Sequence, residues 1–284
     1  MTAEIRLTKY AASGNDFLII DELAAPAGSV DVPAVCDRWT GVGADGLIRV
    51  SAGAAAPFRF DLTNADGSAA QMSGNGMRCL GAYLCDAGHA RRGERIAVET
   101  AVGPRGVTCS EADAVVEMGE PNFTKAAIPM RGPAWETFQR QPFDVHGVAF
   151  TATALSMGNP HLVLFLDEDP ERFHVEHMGP MLEAHELFPE RTNVEFARLA
   201  DDGTADVRVW ERGVGETLAC GTGACAVAVA ANEAGLAPPT TTVRFRGGPL
   251  RVDRRADGQV ILGGPVVKVF DAVVDLDRLA AVGP

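Results

Sequence analysis

One short segment of the 284-residue sequence indicates its architecture: Cys220-Gly221-Thr222-Gly223-Ala224-Cys225-Ala226-Val227-Ala228-Val229-Ala230-Ala231. Beyond its second glycine this segment carries almost only Ala and Val, which predicts a helix over residues 223–234 that ends before the C-cap-like Gly235. A helix without a polar face is a buried helix. We therefore expect this helix to be surrounded by sheet on all sides.

A second helix is predicted over residues 75–87, where Met77, Leu80 and Leu84 recur at helical spacing before Gly88. The rest of the chain is rich in short runs of Val, Ile and Phe, many of them joined by Asp-Gly turns. Such runs predict strands that pair mostly antiparallel. The expected fold class is α/β in the α+β sense, with a curled sheet around each central helix.

The two helices belong to an internal repeat. Ser13-Gly14-Asn15 and Met157-Gly158-Asn159 each precede a strand, while Ser73-Gly74-Asn75-Gly76 and Cys220-Gly221-Thr222-Gly223 each open a helix. Asn159 follows Asn15 by 144 residues, and Cys220 follows Ser73 by 147 residues. Two matches in the same order predict two pseudosymmetric domains that face each other across a cleft, residues 1–120 with 266–284 and residues 121–265.

Both helix starts carry a small polar side chain within a glycine run. Exposed N–H groups and the helix dipole favour an anion there, and the same field is expected to lower the pKa of the Cys220 thiol. A purely structural interpretation is also open, in which Ser73 is an ordinary N-cap and Cys220 is a small core residue. The duplication favours two acid/base groups on opposite faces of one carbon, which is the arrangement for racemisation. His161 and Glu211 are expected near the helix ends, where they would tune the thiol.

Composition excludes several other classes. With 38 acidic and 25 basic residues the formal charge is −13, which argues against a nucleic-acid groove or an anionic membrane as partner. The start of the chain lacks a secretory h-region, so a cytoplasmic location is expected. The six Cys residues form no CxxC pair, and no metal site is expected. The glycines of residues 41–46 lack the spacing of a dinucleotide fingerprint, which argues against NAD as a ligand.

The repeated segments and several others together resemble the diaminopimelate epimerase family along essentially the whole chain. The motifs that carry the resemblance are Ser13-Gly14-Asn15-Asp16-Phe17, Gly41-Val42-Gly43-Ala44-Asp45-Gly46, Asn64-Ala65-Asp66-Gly67-Ser68, Met72-Ser73-Gly74-Asn75-Gly76-Met77-Arg78-Cys79, Gly158-Asn159-Pro160-His161, Thr192-Asn193-Val194-Glu195-Phe196, Trp210-Glu211-Arg212-Gly213 and Ala219-Cys220-Gly221-Thr222-Gly223-Ala224. The resemblance implies interconversion of LL- and meso-diaminopimelate, in lysine and cell-wall precursor biosynthesis. It also implies a homodimer, and catalysis without pyridoxal phosphate or another cofactor.

The resemblance assigns roles by position. Cys220 is one member of the acid/base pair, Ser73 stands at the place of the other, and His161 and Glu211 tune the pair. The substrate-binding positions, which include the backbone sites for the reacting carboxylate, are Asn15, Asn64, Gly74, Asn75, Asn159, Asn193, Glu211, Arg212, Gly221 and Thr222. A bidentate Arg212 suits the distal carboxylate of the substrate.

Ser73 departs from the family pattern, which has Cys at this position in most members. Either Ser73 is a natural variant or it is an engineered Cys→Ser change, and the sequence leaves both open. Two other functions therefore stay open. One is a related amino-acid racemase or a hydroxyproline epimerase-like or dehydratase-like enzyme. The other is a homologue that binds its ligand but is catalytically impaired.

Overall fold

The chain forms two compact units in a computed structural model that describes residues 4–70, 72–145 and 147–280. The first unit comprises Met1–Val116 and Gly264–Pro284, and the second comprises Glu117–Gly263. The sequence predicts these boundaries at 120/121 and 265/266. The backbone passes from one unit to the other within a strand each time, so no long linker separates the units.

The first unit combines nine strands with one long helix and two short ones. Its elements are β1 (Glu4–Ala12), β2 (Asn15–Asp21), α1 (Val32–Cys36), β3 (Gly46–Ala52), β4 (Phe58–Asn64), β5 (Ala69–Ala70), α2 (Gly74–Asp86), β6 (Arg95–Glu99), β7 (Arg105–Cys109), β8 (Asp113–Gly119), β18 (Val267–Asp275) and α5 (Leu276–Ala280). Along the sheet, β18–β1 and β1–β2 pair antiparallel, β2–β3 parallel, β3–β4 antiparallel, β4–β6 parallel, and β6–β7 and β7–β8 antiparallel.

The second unit is contiguous in sequence. Its elements are β9 (Phe138–Val145), β10 (Val148–Ser156), β11 (Pro160–Phe165), a 3₁₀ turn (Pro170–Arg172), α3 (Val175–Glu183), β12 (Asn193–Leu199), β13 (Ala205–Glu211), β14 (Gly215–Thr217), α4 (Gly221–Glu233), β15 (Thr240–Phe245), β16 (Gly248–Arg254) and β17 (Val260–Pro265). Here β9–β10 and β10–β11 pair antiparallel, β11–β12 parallel, β12–β13 antiparallel, β13–β15 parallel, and β15–β16 and β16–β17 antiparallel.

The two lists of pairings follow the same order of antiparallel and parallel contacts, which confirms the predicted repeat. The strand pairs also keep the spacing of the repeat. Phe17 pairs with Gly46 in the first unit, and the residues 144 and 147 positions later, His161 and Asn193, pair in the second. The repeated turns share a backbone conformation as well. Gly14 and Gly158 have φ values of 85° and 98°, a region that L-residues with side chains rarely adopt.

Each long helix lies in the middle of its own unit, as predicted. Helix α2 contacts β1, β2, β3, β4 and β7, while α4 contacts β10, β11, β12, β13, β15 and β16. Every residue of α4 from Gly221 to Ala231 is buried, which is why Ala and Val occupy all of its sides. The helices begin one and two residues earlier than predicted, at Gly74 and Gly221. Within the described part of the chain, no helix is long and apolar enough to cross a membrane.

Candidate active site

Ser73 and Cys220 occupy the N-cap positions of α2 and α4 with nearly the same backbone. Ser73 has φ −141° and ψ 117°, and its Oγ accepts a hydrogen bond from Gly76 N–H at 3.0 Å. Cys220 has φ −130° and ψ 120°, and its Sγ accepts from Gly223 N–H at 3.3 Å. An N-cap of this kind satisfies one N–H group of the first turn and leaves others directed along the helix axis. The first turn of each helix is therefore suited to an anion.

A chain of polar contacts leads from β11 and β12 to Cys220. His161 Nδ1 lies 2.6 Å from Glu195 Oε1, and both side chains are fully buried. His161 Nε2 lies 3.0 Å from Asn159 Oδ1, and Asn159 Nδ2 donates to Thr222 Oγ1 at 3.3 Å. The Thr222 hydroxyl is in turn 3.4 Å from Cys220 Sγ. These three contacts connect the buried His161–Glu195 pair to the thiol through the side chains of Asn159 and Thr222.

Glu211 approaches Cys220 from β13. The Glu211 carboxylate lies near the thiol, and Thr217 Oγ1 donates to Glu211 Oε1 at 2.5 Å. Burial raises the pKa of Glu211 above the usual range of a glutamate, although the hydrogen bond from Thr217 acts in the opposite direction. A carboxylate with a raised pKa accepts a proton more readily. Glu211 is thus suited to exchange a proton with the thiol.

The prediction that the helix field lowers the pKa of Cys220 is wrong. Burial and the nearby carboxylates of Glu211 and Glu195 raise the thiol pKa well above its ordinary value. The hydrogen bonds from Thr222 and Gly223 lower it only in part. Two negative charges beside a buried sulfur disfavour a thiolate, so without a ligand Cys220 stays protonated at neutral pH.

Apolar residues replace the His161–Glu195 pair of this polar chain in the first unit. Phe17 occupies the register position of His161, and Ile48 occupies that of Glu195. Both are buried, and at the position of Glu211 stands Asn64, whose amide donates to Ser68 Oγ at 3.0 Å. Ser73 therefore shares the backbone of Cys220 and none of its ionisable neighbours at these three register positions.

The remaining predicted residues of the first unit form a network of their own. Asn75 Nδ2 donates to Asn15 Oδ1 at 2.8 Å, and Asn15 Nδ2 donates to Asp45 Oδ2 at 3.0 Å. On its other side, Asn75 Oδ1 accepts from the fully buried Arg78 at 2.6 Å. Arg78 also donates to Ser13 Oγ and thereby ties the repeated turn before β2 to the start of α2. The structure thus brings Asn15, Asn75 and Gly74 together around the first turn of this helix.

In the second unit, Asn193 and Arg212 meet through the backbone. Asn193 is buried, its amide nitrogen donates to Pro160 O at 2.8 Å, and its amide oxygen accepts from Arg212 N–H at 2.9 Å. The guanidinium of Arg212 is exposed and makes a 3.5 Å contact to Glu190 O. Asn193 therefore fixes the strand end from which the Arg212 side chain projects. Gly221 and Thr222 lie in the first turn of α4 beside Cys220.

The sequence motifs include Glu195 but assign it no role, and they do not include Thr217. A glutamate in the otherwise apolar strand Asn193-Val194-Glu195-Phe196-Ala197 is an available signal, because buried strands rarely hold an unpartnered charge. The partner could not be read from spacing, since His161 lies 34 residues away on a parallel neighbour. No group of side chains suited to a metal ion occurs among the described residues.

Comparison with known proteins adds an independent line. The family model for diaminopimelate epimerase matches residues 7–124 and 153–269. A diaminopimelate epimerase of Acetivibrio thermocellus is 39% identical over 283 residues, covering 97% of this chain and 100% of that protein. One of Desulforudis audaxviator is 43% identical over 277 residues, covering 94% and 98%.

Solved structures share the fold at much lower identity. A hydroxyproline epimerase of Agrobacterium vitis superposes with a TM-score of 0.68 at 14% identity, covering 98% of this chain and 94% of the other. A methylitaconate-delta-isomerase gives a TM-score of 0.63 at 14% identity, covering 99% and 97%. At this identity the likeness establishes a common architecture and nothing about the substrate.

Proposed function

The chain belongs to the diaminopimelate epimerase family, and we propose on that premise that it interconverts LL- and meso-diaminopimelate by proton transfer at the α-carbon. The observation that carries the proposal is the polar chain around Cys220: a thiol at a helix N-cap, with the Glu211 carboxylate nearby and with a side-chain link to the His161–Glu195 pair. A protein with a merely structural cysteine has no need of two buried carboxylates beside it. The reaction uses side chains alone and yields the meso isomer for lysine and cell-wall precursor synthesis.

The family resemblance assigns the reacting carboxylate to the N–H groups at the first turns of α2 and α4. Backbone N–H groups of Gly74, Asn75, Gly221 and Thr222 belong to the first helical turns, where intrahelical acceptors are lacking. An anion bound there increases the acidity of the neighbouring C–H bond, because the N–H groups stabilise the negative charge that develops on deprotonation. The exposed guanidinium of Arg212 binds the distal carboxylate.

Cys220 removes the α-proton after giving its own proton to Glu211. The raised pKa of Glu211 favours this transfer, and the positive helix end stabilises the resulting thiolate. Ser73 then donates its hydroxyl proton to the opposite face of the carbon and regains one from water. Glu211 releases the proton that it took from Cys220 to the hydroxide formed in this way, which restores the starting state. The reverse direction requires Ser73 to act as the base, and a hydroxyl is a far weaker acid than a thiol. We therefore expect slow proton removal on the Ser73 face.

Isotope exchange tests the function and this asymmetry. The purified chain and Ser73→Cys are incubated with LL- and with meso-diaminopimelate in D₂O, and deuterium at the α-carbon and epimer content are measured. We expect fast deuterium incorporation from one isomer only, and similar rates from both after Ser73→Cys. Equal incorporation into both isomers by the unchanged chain contradicts the asymmetry. If neither protein exchanges either isomer, the diaminopimelate assignment is wrong.

The apolar surroundings of Ser73 favour one second candidate, a homologue that binds the substrate and does not turn it over. Phe17 and Ile48 supply no proton acceptor at the positions where the Cys220 side has His161 and Glu195. Under this candidate, isothermal titration shows binding of diaminopimelate by the unchanged chain, and epimerisation follows only from Ser73→Cys.

We also propose that the protein is a cytoplasmic homodimer. Strand β18 pairs with β1 and exposes Val267, Val269, Phe270 and Val273 to solvent. Apolar residues exposed along one strand are typical of a surface that a second chain covers. Sedimentation equilibrium is expected to give twice the chain mass, and Val269→Lys is expected to shift the protein toward the monomer. A monomeric unchanged chain contradicts this assignment.

A further inference from the structure

The buried carboxylate of Glu195 lies close to the proposed chemistry without touching the thiol through a hydrogen bond of its own. Its Oε1 faces His161 Nδ1 at 2.6 Å, and its Oε2 is buried without a hydrogen-bond partner in the described part of the chain. A Cβ at position 223 would lie 2.8 Å from Glu195 Oε1, so the carboxylate packs directly against the first turn of α4. Only a glycine at 223 leaves room for it there.

Stability does not account for this pair. Removing a carboxylate from water is costly, and a buried ion pair repays that cost only when its remaining lone pairs are also satisfied. The orphaned Oε2 shows that they are not. The first unit demonstrates the alternative, because it fills the same two register positions with Phe17 and Ile48, both buried. The fold is therefore complete without charges at these positions.

The hydrogen bonds of the His161–Glu195 pair orient the side chains that lead from it to Cys220. With Nδ1 bound to the carboxylate and Nε2 facing Asn159 Oδ1, the imidazole cannot rotate without breaking both contacts. Asn159 is thereby oriented with its Nδ2 toward the Thr222 hydroxyl, and that hydroxyl lies 3.4 Å from Cys220 Sγ. A carboxylate that fixes the orientation of a histidine in this way is a known device in other enzymes.

We propose that Glu195 is a positioning residue of the reaction, which holds His161, and through Asn159 and Thr222 the Cys220 thiol, in the geometry for proton transfer. The inference rests on the proposed function for its kinetic consequences. It assigns Glu195 no contact with substrate. Glu211, whose carboxylate lies near the thiol, remains the group that exchanges a proton with Cys220.

A double-mutant cycle tests whether Glu195 acts through His161. Glu195→Gln, His161→Gln and the double variant are compared in the α-proton exchange of the isomer that Cys220 deprotonates. We expect each single variant to lose about 10–100-fold in kcat with little change in KM, and the double variant to lose no more than either. Additive losses, or a Glu195→Gln rate within about twofold of the unchanged chain, overturn the proposal.

Two further variants separate positioning from folding. Glu216→Gln is the matched control, because it also removes a carboxylate paired with a basic side chain in this unit, Arg208 at 2.6 Å, and is expected to keep its exchange rate. His161→Phe with Glu195→Ile copies the pair of the first unit. We expect this double variant to melt at or above the temperature of the unchanged chain and to lose at least as much activity as Glu195→Gln. A lower melting temperature with unchanged exchange shows a purely structural pair.

A readout without turnover keeps this proposal separate from the proposed function. If the unchanged chain exchanges no α-proton, that function fails, and the same cycle is measured as the rate of alkylation of Cys220 by iodoacetamide, followed by mass spectrometry. The direct effect of the Glu195 charge on the thiol is common to both backgrounds, so the proposal requires Glu195→Gln to change the alkylation rate by a different factor in the chain with His161 than in the His161→Gln background. The same change in both backgrounds indicates a direct charge effect of Glu195 on Cys220 and overturns it.

Discussion

The starts of α2 and α4 are built on the same backbone and surrounded by different chemistry. Ser73 and Cys220 cap their helices with φ and ψ values that differ by no more than about ten degrees, yet the thiol has two carboxylates nearby and the hydroxyl has Phe17 and Ile48 at the equivalent places. The comparison shows that the repeat keeps the turn, the N-cap and the first helical turn, which are features suited to an anion. The buried carboxylates and the histidine near the thiol belong to the second unit alone at these register positions.

The largest expected effect comes from removing the thiol. Cys220→Ala should lower α-proton exchange by about 10²–10⁴-fold for the isomer that Cys220 deprotonates, because a positioned acid/base group contributes that much. Ser73→Ala should lower the already slow exchange of the other isomer by a much smaller factor. Deuterium incorporation measured by mass spectrometry gives both ratios. Cys225→Ala, a buried thiol one turn further along α4, is the control and should keep the rate; equal losses for Cys220→Ala and Ser73→Ala would remove the contrast between the two sides.

The next effect concerns how tightly the two helices are packed. A Cβ at Gly81 of α2 would lie 2.6 Å from Val107 Cγ2 and 2.8 Å from Cys109 Sγ, whereas the position equivalent to Gly81 in α4 is Ala228. Gly81→Ala should therefore cost about 1–3 kcal/mol of unfolding free energy through overpacking. Ala228→Gly should cost about 1 kcal/mol through helix propensity. Urea unfolding of both variants measures these values, and a Gly81→Ala protein as stable as the unchanged chain shows that β7 yields to the methyl group.

The smallest expected effect is on the pH dependence of stability. The folded state raises the pKa of Glu211 through burial, so the folded protein binds more protons than the unfolded chain above the ordinary glutamate pKa. Stability is then lost as pH rises from that value through the raised one. Glu211→Gln removes this loss and should raise the melting temperature relative to the unchanged chain more at pH 8 than at pH 4. Asn64, at the same register position in the first unit, carries no charge, and Asn64→Gln should show no such pH dependence. A constant difference across pH for Glu211→Gln contradicts the assigned burial effect.

The sequence predicts the architecture well because the pattern of α4 permits one environment. A helix of Ala and Val without a polar face has to be enclosed, and the repeated Gly-Asn turns and N-caps place a second copy of the same arrangement 144–147 residues away. Helix starts, caps and turns can be predicted from the sequence because they depend on residues that are neighbours in the chain. The residues that the family resemblance assigns to the site stay a prediction, although the structure groups those of each unit around its own helix start.

The electrostatics of the site were not predictable in the same way. The sequence shows Cys220 at a helix N-terminus, and that single feature lowers a thiol pKa. The sequence does not show that β12 and β13 bring Glu195 and Glu211 beside the sulfur. Together with burial, these charges raise the thiol pKa instead of lowering it. Asn193 is a second instance, because its amide is engaged by Pro160 and Arg212 across strands that spacing alone does not align.

The discontinuity of the first unit affects the order in which the protein can fold during synthesis. Strand β1 pairs with β18, from Glu4 opposite Asp275 to Ala11 opposite Val267, and these partners are made after the whole of the second unit. The second unit lies wholly between them, so all of its strands leave the ribosome while β1 still lacks one neighbour. Domains made first usually fold first. Here the unit whose synthesis begins first is completed second, and the exposed edge of β1 needs protection from wrong pairing until β18 emerges.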